Sequence, residues 1–113
     1  MPKLVAEGWW EQEGFGRQPM NGLVIDFANG QLFGTGEDIV GQFEMRGTLT
    51  GEAIFIRKQY IRKHTIDYHG VGDGEGSYFG DWSVYGHVGG RWSLRIKASM
   101  SDDLSAITRL EPS

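Results

Sequence analysis

The chain has 113 residues, no cysteine, and a net charge of −4 from 11 basic and 15 acidic side chains. That length fits one domain with one core. The missing thiols exclude disulfides and thiolate metal sites, and the acidic balance argues against nucleic acid as a partner. Four Trp, four Tyr and six Phe beside 18 Gly separate the chain from disordered sequences, which are poor in aromatics. The glycines are expected in turns, bulges and tight corners. Met1-Pro2-Lys3-Leu4-Val5 carries no apolar h-region, and no apolar run approaches the roughly 18 residues of a membrane span. A soluble, cytoplasmic protein with no membrane partner is therefore expected.

Period-2 alternation marks eight strands in turn. The first is predicted over residues 4–11, followed by the loop Glu13-Gly14-Phe15-Gly16-Arg17. The second covers 20–28, with Leu23, Ile25 and Phe27 on one face and Val24, Asp26 and Ala28 on the other. Asn29-Gly30 then signals a two-residue hairpin of type I′. The third, 31–35, is interrupted by Gly34 and Gly36, and Glu37-Asp38 forms a turn. The fourth covers 39–46 and is closed by Gly47-Thr48-Leu49-Thr50-Gly51. The fifth covers Ala53–Tyr60 and the sixth 64–69. Residues 70–76 read as a glycine-acid loop. The seventh covers 77–85 and the eighth 91–98, with Trp92, Leu94 and Ile96 opposed to Arg91, Ser93, Arg95 and Lys97. Beyond it, residues 101–110 read as a short helix capped by Ser101-Asp102-Asp103, or residues 106–110 as an extra strand.

Short loops between successive strands imply up-and-down order, because parallel pairs need long crossovers. The fold class is all-β: an eight-stranded antiparallel up-and-down barrel over residues 1–113 as a single domain. Such a barrel is either filled by side chains or holds one small ligand.

Gly8-Trp9-Trp10 on the first strand and a basic residue on the last resemble the shared pattern of the calycin superfamily, which includes lipocalins, fatty-acid-binding proteins and avidins. The resemblance implies that Gly8 and Trp10 close one barrel end and that Arg95 or Arg91 lies across the indole, a cation–π contact. A second resemblance covers residues 8–98. Met20, Gly34-x-Gly36-x-Asp38-x-x-Gly41-x-Phe43, Gly47, Lys58-x-Tyr60-x-x-x-His64-x-x-x-Tyr68-x-Gly70 and Gly80-x-Trp82 look like a small barrel domain that stands alone in bacteria and forms the C-terminal domain of some F-box proteins. It implies a binding module rather than an enzyme. The polar set that embraces biotin in avidins is not evident.

Lys58, Tyr60, His64 and Tyr68 stand at even spacings on the fifth and sixth strands, so Lys58 shares a face with Tyr60, and His64 with Tyr68. One residue of register decides which face is inward. They read either as hydrogen-bonded pairs that set register or as the polar end of a pocket, with Lys58 as its charge. Asp38 reads as an Asx-type turn or as a partner of Lys58 or Arg57. Phe43, Trp82 and Trp92 are the expected apolar walls, unless the indoles only fill the core. Arg57, Lys58, Arg62 and Lys63 form a local basic cluster, read as solvated strand faces or an anion-attracting rim. His64, His69 and His87 lack metal-site spacing, so neither metal nor cofactor is expected. No catalytic fingerprint is present.

The expected function is a barrel that binds a small apolar or anionic ligand, or a peptide end. The alternatives are a small isomerase or lyase using the Lys/Tyr/His cluster, or a filled barrel acting as a homodimer or tetramer.

Overall fold

The computed structural model describes residues 3–99. Eight strands follow in chain order: β1 (Leu4–Gln12), β2 (Gly16–Ala28), β3 (Gln31–Glu37), β4 (Gln42–Thr50), β5 (Ala53–Tyr60), β6 (Thr65–Gly72), β7 (Ser77–Val84) and β8 (His87–Ser99). Each pairs antiparallel with its neighbour in sequence, and β8 returns to β1 with Trp92 opposite Trp10, closing the barrel. This is the expected up-and-down architecture. The described residues contain no helix, so none is long and apolar enough to cross a membrane. The helix-or-strand alternative for residues 101–110 lies outside the described residues.

Alternation sends every second side chain inward. Leu23, Ile25, Met45, Ile56, Trp92 and Leu94 are almost completely enclosed. A register shift between Asn21 and Val24, with Gly22 at φ 60°, lets Met20 point inward as well as Leu23. On the strands left open by the sequence, the inward set is Ile54, Ile56, Lys58 and Tyr60 on β5, and Ile66 and Tyr68 on β6.

Several boundaries differ from the sequence reading, and glycine is the common reason. Asn29-Gly30 does form the left-handed turn expected, with φ of 54° and 76°. Gly47, however, is not a turn residue. It lies inside β4 opposite Ile56, where a Cβ would sit 2.1 Å from the Phe55 carbonyl oxygen. Residues 38–41 form the turn before β4, which therefore starts at Gln42 rather than 39. Gly70 and Gly72 likewise belong to β6 rather than to a loop. Gly70 faces Gly80 on β7, and a Cβ on Gly70 would meet the Trp92 indole at 2.8 Å. These glycines make room for backbone and indole, a use that looks identical to a turn in one sequence.

The barrel has two unlike ends. Turns at 29–30, 51–52 and 73–76 lie at one, beyond the buried Leu32 and Ile54. Turns at 13–15, 38–41, 61–64 and 85–86 surround the other, which is open.

Candidate functional site

A cleft of about 380 Å³ enters the barrel at the open end. Trp10 from β1, Tyr60 from β5, Tyr68 from β6 and Trp82 from β7 form aromatic walls. Val40, Ile66, Val84 and Val88 add aliphatic surface, while Gln12, His64 and His87 supply polar groups. The walls are held in place by hydrogen bonds. Trp82 donates its indole N–H to the Glu11 carbonyl at 2.9 Å and meets Trp10 edge-on, ring centres 6.0 Å apart. Gly89 and Gly90 leave the space that the Trp82 ring occupies.

Behind these walls lies a buried ion pair. The turn after β3 turns Asp38 into the barrel, so that its side chain and that of Lys58 are both wholly excluded from solvent. Asp38 Oδ2 accepts from Lys58 Nζ at 2.5 Å, from the Tyr60 hydroxyl at 2.7 Å and from the Trp10 indole N–H at 3.1 Å. Its Oδ1 accepts from the Val40 N–H at 2.9 Å, the Asx-type bond. Both sequence readings of Asp38, turn residue and Lys58 partner, thus hold together. Lys58 also donates to the Tyr68 hydroxyl at 3.1 Å, and Tyr68 in turn donates to Met20 Sδ at 3.9 Å. The rest of the ammonium is surrounded by rings: Phe43 at 4.2 Å, Tyr60 at 4.8 Å and Tyr68 at 5.5 Å from Nζ to ring centre.

Such a pair is stable only when both charges are neutralised and hydrogen-bonded, and here they are. Burial opposes the Asp38 carboxylate, but the hydrogen bond and charge of Lys58, with help from Tyr60 and Val40, hold its pKa below the ordinary 3.8. Burial pulls Lys58 down to about 8 against the opposing pull of Asp38. Burial and the nearby Asp38 charge push both phenols well up, so Tyr60 and Tyr68 stay protonated.

The structure therefore brings Asp38, Lys58, Tyr60, Tyr68 and Phe43 together, with His64 at the lip, its ring 5.3 Å from that of Tyr60. Lys58 and Asp38 stand behind the cleft wall, with Tyr60 and Tyr68 between them and the open space. Trp82 is a cleft wall. Trp92 lies one layer deeper, stacked on Tyr68 at 5.1 Å, with its N–H shared between the His69 and Asp81 carbonyls.

Barrel closure also differs from the resemblance. The cation nearest the Trp10 ring is Lys58, at 5.8 Å. Arg95 and Arg91 alternate with the buried Trp92 and Leu94, so both face outward, and Arg91 bonds the Gly80 carbonyl and Asp81. Gly8 serves close packing: a Cβ there would lie 2.9 Å from the Ser93 carbonyl oxygen and 2.8 Å from Met20 Cε.

The sequence reading missed Val40, Ile66, Val84, Val88, Gln12 and His87 as cleft residues. Ile66 and Val84 carried a signal, because they continue the inward alternation of Tyr68 and Trp82. Among the described residues, no group of three or more His, Asp or Glu is placed to hold a metal. No protein-family model, curated protein or solved structure matches this chain.

Proposed function

We propose that this chain is a ligand-binding barrel of calycin-like design, taking a small, mainly apolar molecule or an apolar chain end into its open end. The observation that carries the reading is the division of the interior. One half is occupied by the buried side chains of Leu23, Ile25, Leu32, Met45, Ile54, Ile56 and Leu94, and the other holds a cleft of about 380 Å³ walled by four aromatic rings, within the ordinary range for small-molecule sites. His64, His87 and Gln12 at the lip are the groups available to a polar or anionic head. Lys58 acts indirectly, by fixing Tyr60 and Tyr68. The kinship with calycins and with the barrel of F-box proteins rests on Gly8, Trp10 and the spaced Gly, Lys, Tyr and His positions. The outward charges Arg57, Asp67, Asp81 and Arg91 support a barrel wall that faces water, as in a cytoplasmic protein, because such groups are costly against lipid.

The proton-transfer alternative is weaker, because Asp38, Lys58, Tyr60 and Tyr68 already spend their hydrogen bonds on one another. Titration with 1-anilinonaphthalene-8-sulfonate, followed by its fluorescence and by quenching of Trp10 and Trp82, tests the reading. Saturable one-to-one binding is expected, lost when Val84→Trp fills the cleft with little change in melting temperature. Binding that is unsaturable, or unaffected by Val84→Trp, would refute it.

A further inference from the structure

The two barrel ends differ in more than the cleft. Each of the four open-end turns carries one large apolar side chain exposed to solvent: Phe15, Ile39, Ile61 and Tyr85. Val88, two residues past the last turn, is a fifth, at 70% exposure. The three turns at the other end carry none: they consist of Asn29-Gly30, Gly51-Glu52 and Asp73-Gly74-Glu75-Gly76. Tyr85 is 85% exposed and is held at φ 52°, a left-handed conformation that favours Gly or Asn. Solubility and local conformation both disfavour a tyrosine there, which points to a use for its side chain.

Charge divides the same way. The open-end turns hold Arg62, Lys63 and His64 against Glu13 and an Asp38 already neutralised by Lys58. On the adjoining strand ends Arg17 bridges Glu11, and Glu37 is a further acid. The turns at the other end hold Glu52, Asp73 and Glu75 and no cation. Among the described turns, the Lys and Arg side chains therefore all lie at the open end, where an anionic surface would attract them.

From the ring of single apolar tips around an opening, with Arg62 and Lys63 directly behind Ile61, we infer that the open end is a collar that rests on a lipid surface. A bilayer meets both features at once. Its acyl boundary accepts Phe15, Ile39, Ile61, Tyr85 and Val88, and its phosphates lie at the level of the two cations. The cleft then opens towards the acyl layer, so an apolar ligand enters without crossing water. The inference extends the ligand-binding reading above, and its test separates the two.

The test is flotation with vesicles of phosphatidylcholine containing phosphatidylglycerol, using the wild-type chain, the open-end variant Ile39→Ser/Tyr85→Ser and the outer-wall variant Val71→Ser/Phe79→Ser. All four positions are exposed, so the variants are expected to fold. Wild type and the outer-wall variant should float, and the open-end variant should bind at least roughly tenfold more weakly, the partition lost with two buried side chains. Wild type that fails to float, or that floats no better than the open-end variant, overturns the inference. A wild-type dimer that Ile39→Ser/Tyr85→Ser dissociates, without flotation, assigns the collar to a second copy of the chain and also overturns it. Dye binding in vesicle-free buffer reports the cleft independently, so the collar and the ligand reading fail separately.

Discussion

Lys58→Met removes one half of a dry ion pair and leaves the other half stranded. Asp38 would keep Tyr60, Trp10 and the Val40 N–H as donors, but it would lose the cation hydrogen-bonded to it. Breaking such a pair costs about 3–5 kcal/mol, and the three surviving donors place this case near the lower figure. For a chain of this size, about 3 kcal/mol corresponds to a fall in melting temperature of roughly 12–24 °C. Asp38→Asn should cost a comparable amount, since it strands the ammonium among rings. The double variant Asp38→Asn/Lys58→Met should be more stable than either single variant, because no buried charge remains. Urea unfolding followed by tryptophan fluorescence gives the full cycle. A single variant within about 1 kcal/mol of wild type, or singles that simply add in the double, would mean that the carboxylate is not held inside the barrel, and the account of the site would fall.

Three further outcomes follow from the same geometry. The pKa of Asp38 is lowered in the fold, so the unfolded chain binds the proton first, and this contribution to stability, complete above pH 3.8, should be lost as pH falls below it. Lys58 is also lowered, to about 8 from 10.5; the unfolded chain then binds more protons between those values, so stability should rise with pH across that window. The raised phenols reverse the slope above pH 10, where the unfolded tyrosines ionise and the folded ones do not. Urea midpoints measured from pH 3 to 11 check all three signs, and Lys58→Met should abolish the rise. Tyr85→Asn should stabilise the fold by about 0.5–1 kcal/mol, since Asn tolerates φ 52°, while weakening vesicle binding. Gly80→Ala should destabilise by about 3 kcal/mol or more, because its Cβ would lie 1.9 Å from the His69 carbonyl oxygen; an unchanged thermal melt would show that β6 and β7 are not this close.

Alternation and turn chemistry carried the architecture. The inward runs Leu23–Ile25–Phe27 and Trp92–Leu94–Ile96 and the turn at Asn29-Gly30 are local properties, readable from residues a few positions apart. The candidate site was readable in part. Even spacing put Lys58 with Tyr60 on one face because strand period is a local rule. It left open which face, because that depends on where the neighbouring strands' apolar sets lie. Only closure of the barrel turned those faces inward and brought Asp38 to Lys58, 20 positions away in the chain. The same closure placed Arg95 outside and gave its expected position near Trp10 to Lys58. Gly47 and Gly70 read as punctuation in the sequence, because one residue type serves both turns and close approach, and only the partner strand distinguishes them. The collar was the least legible feature. Phe15, Ile39, Ile61 and Tyr85 lie far apart in sequence with no shared period, and they become one surface only because up-and-down order sends alternate turns to the same end of the barrel.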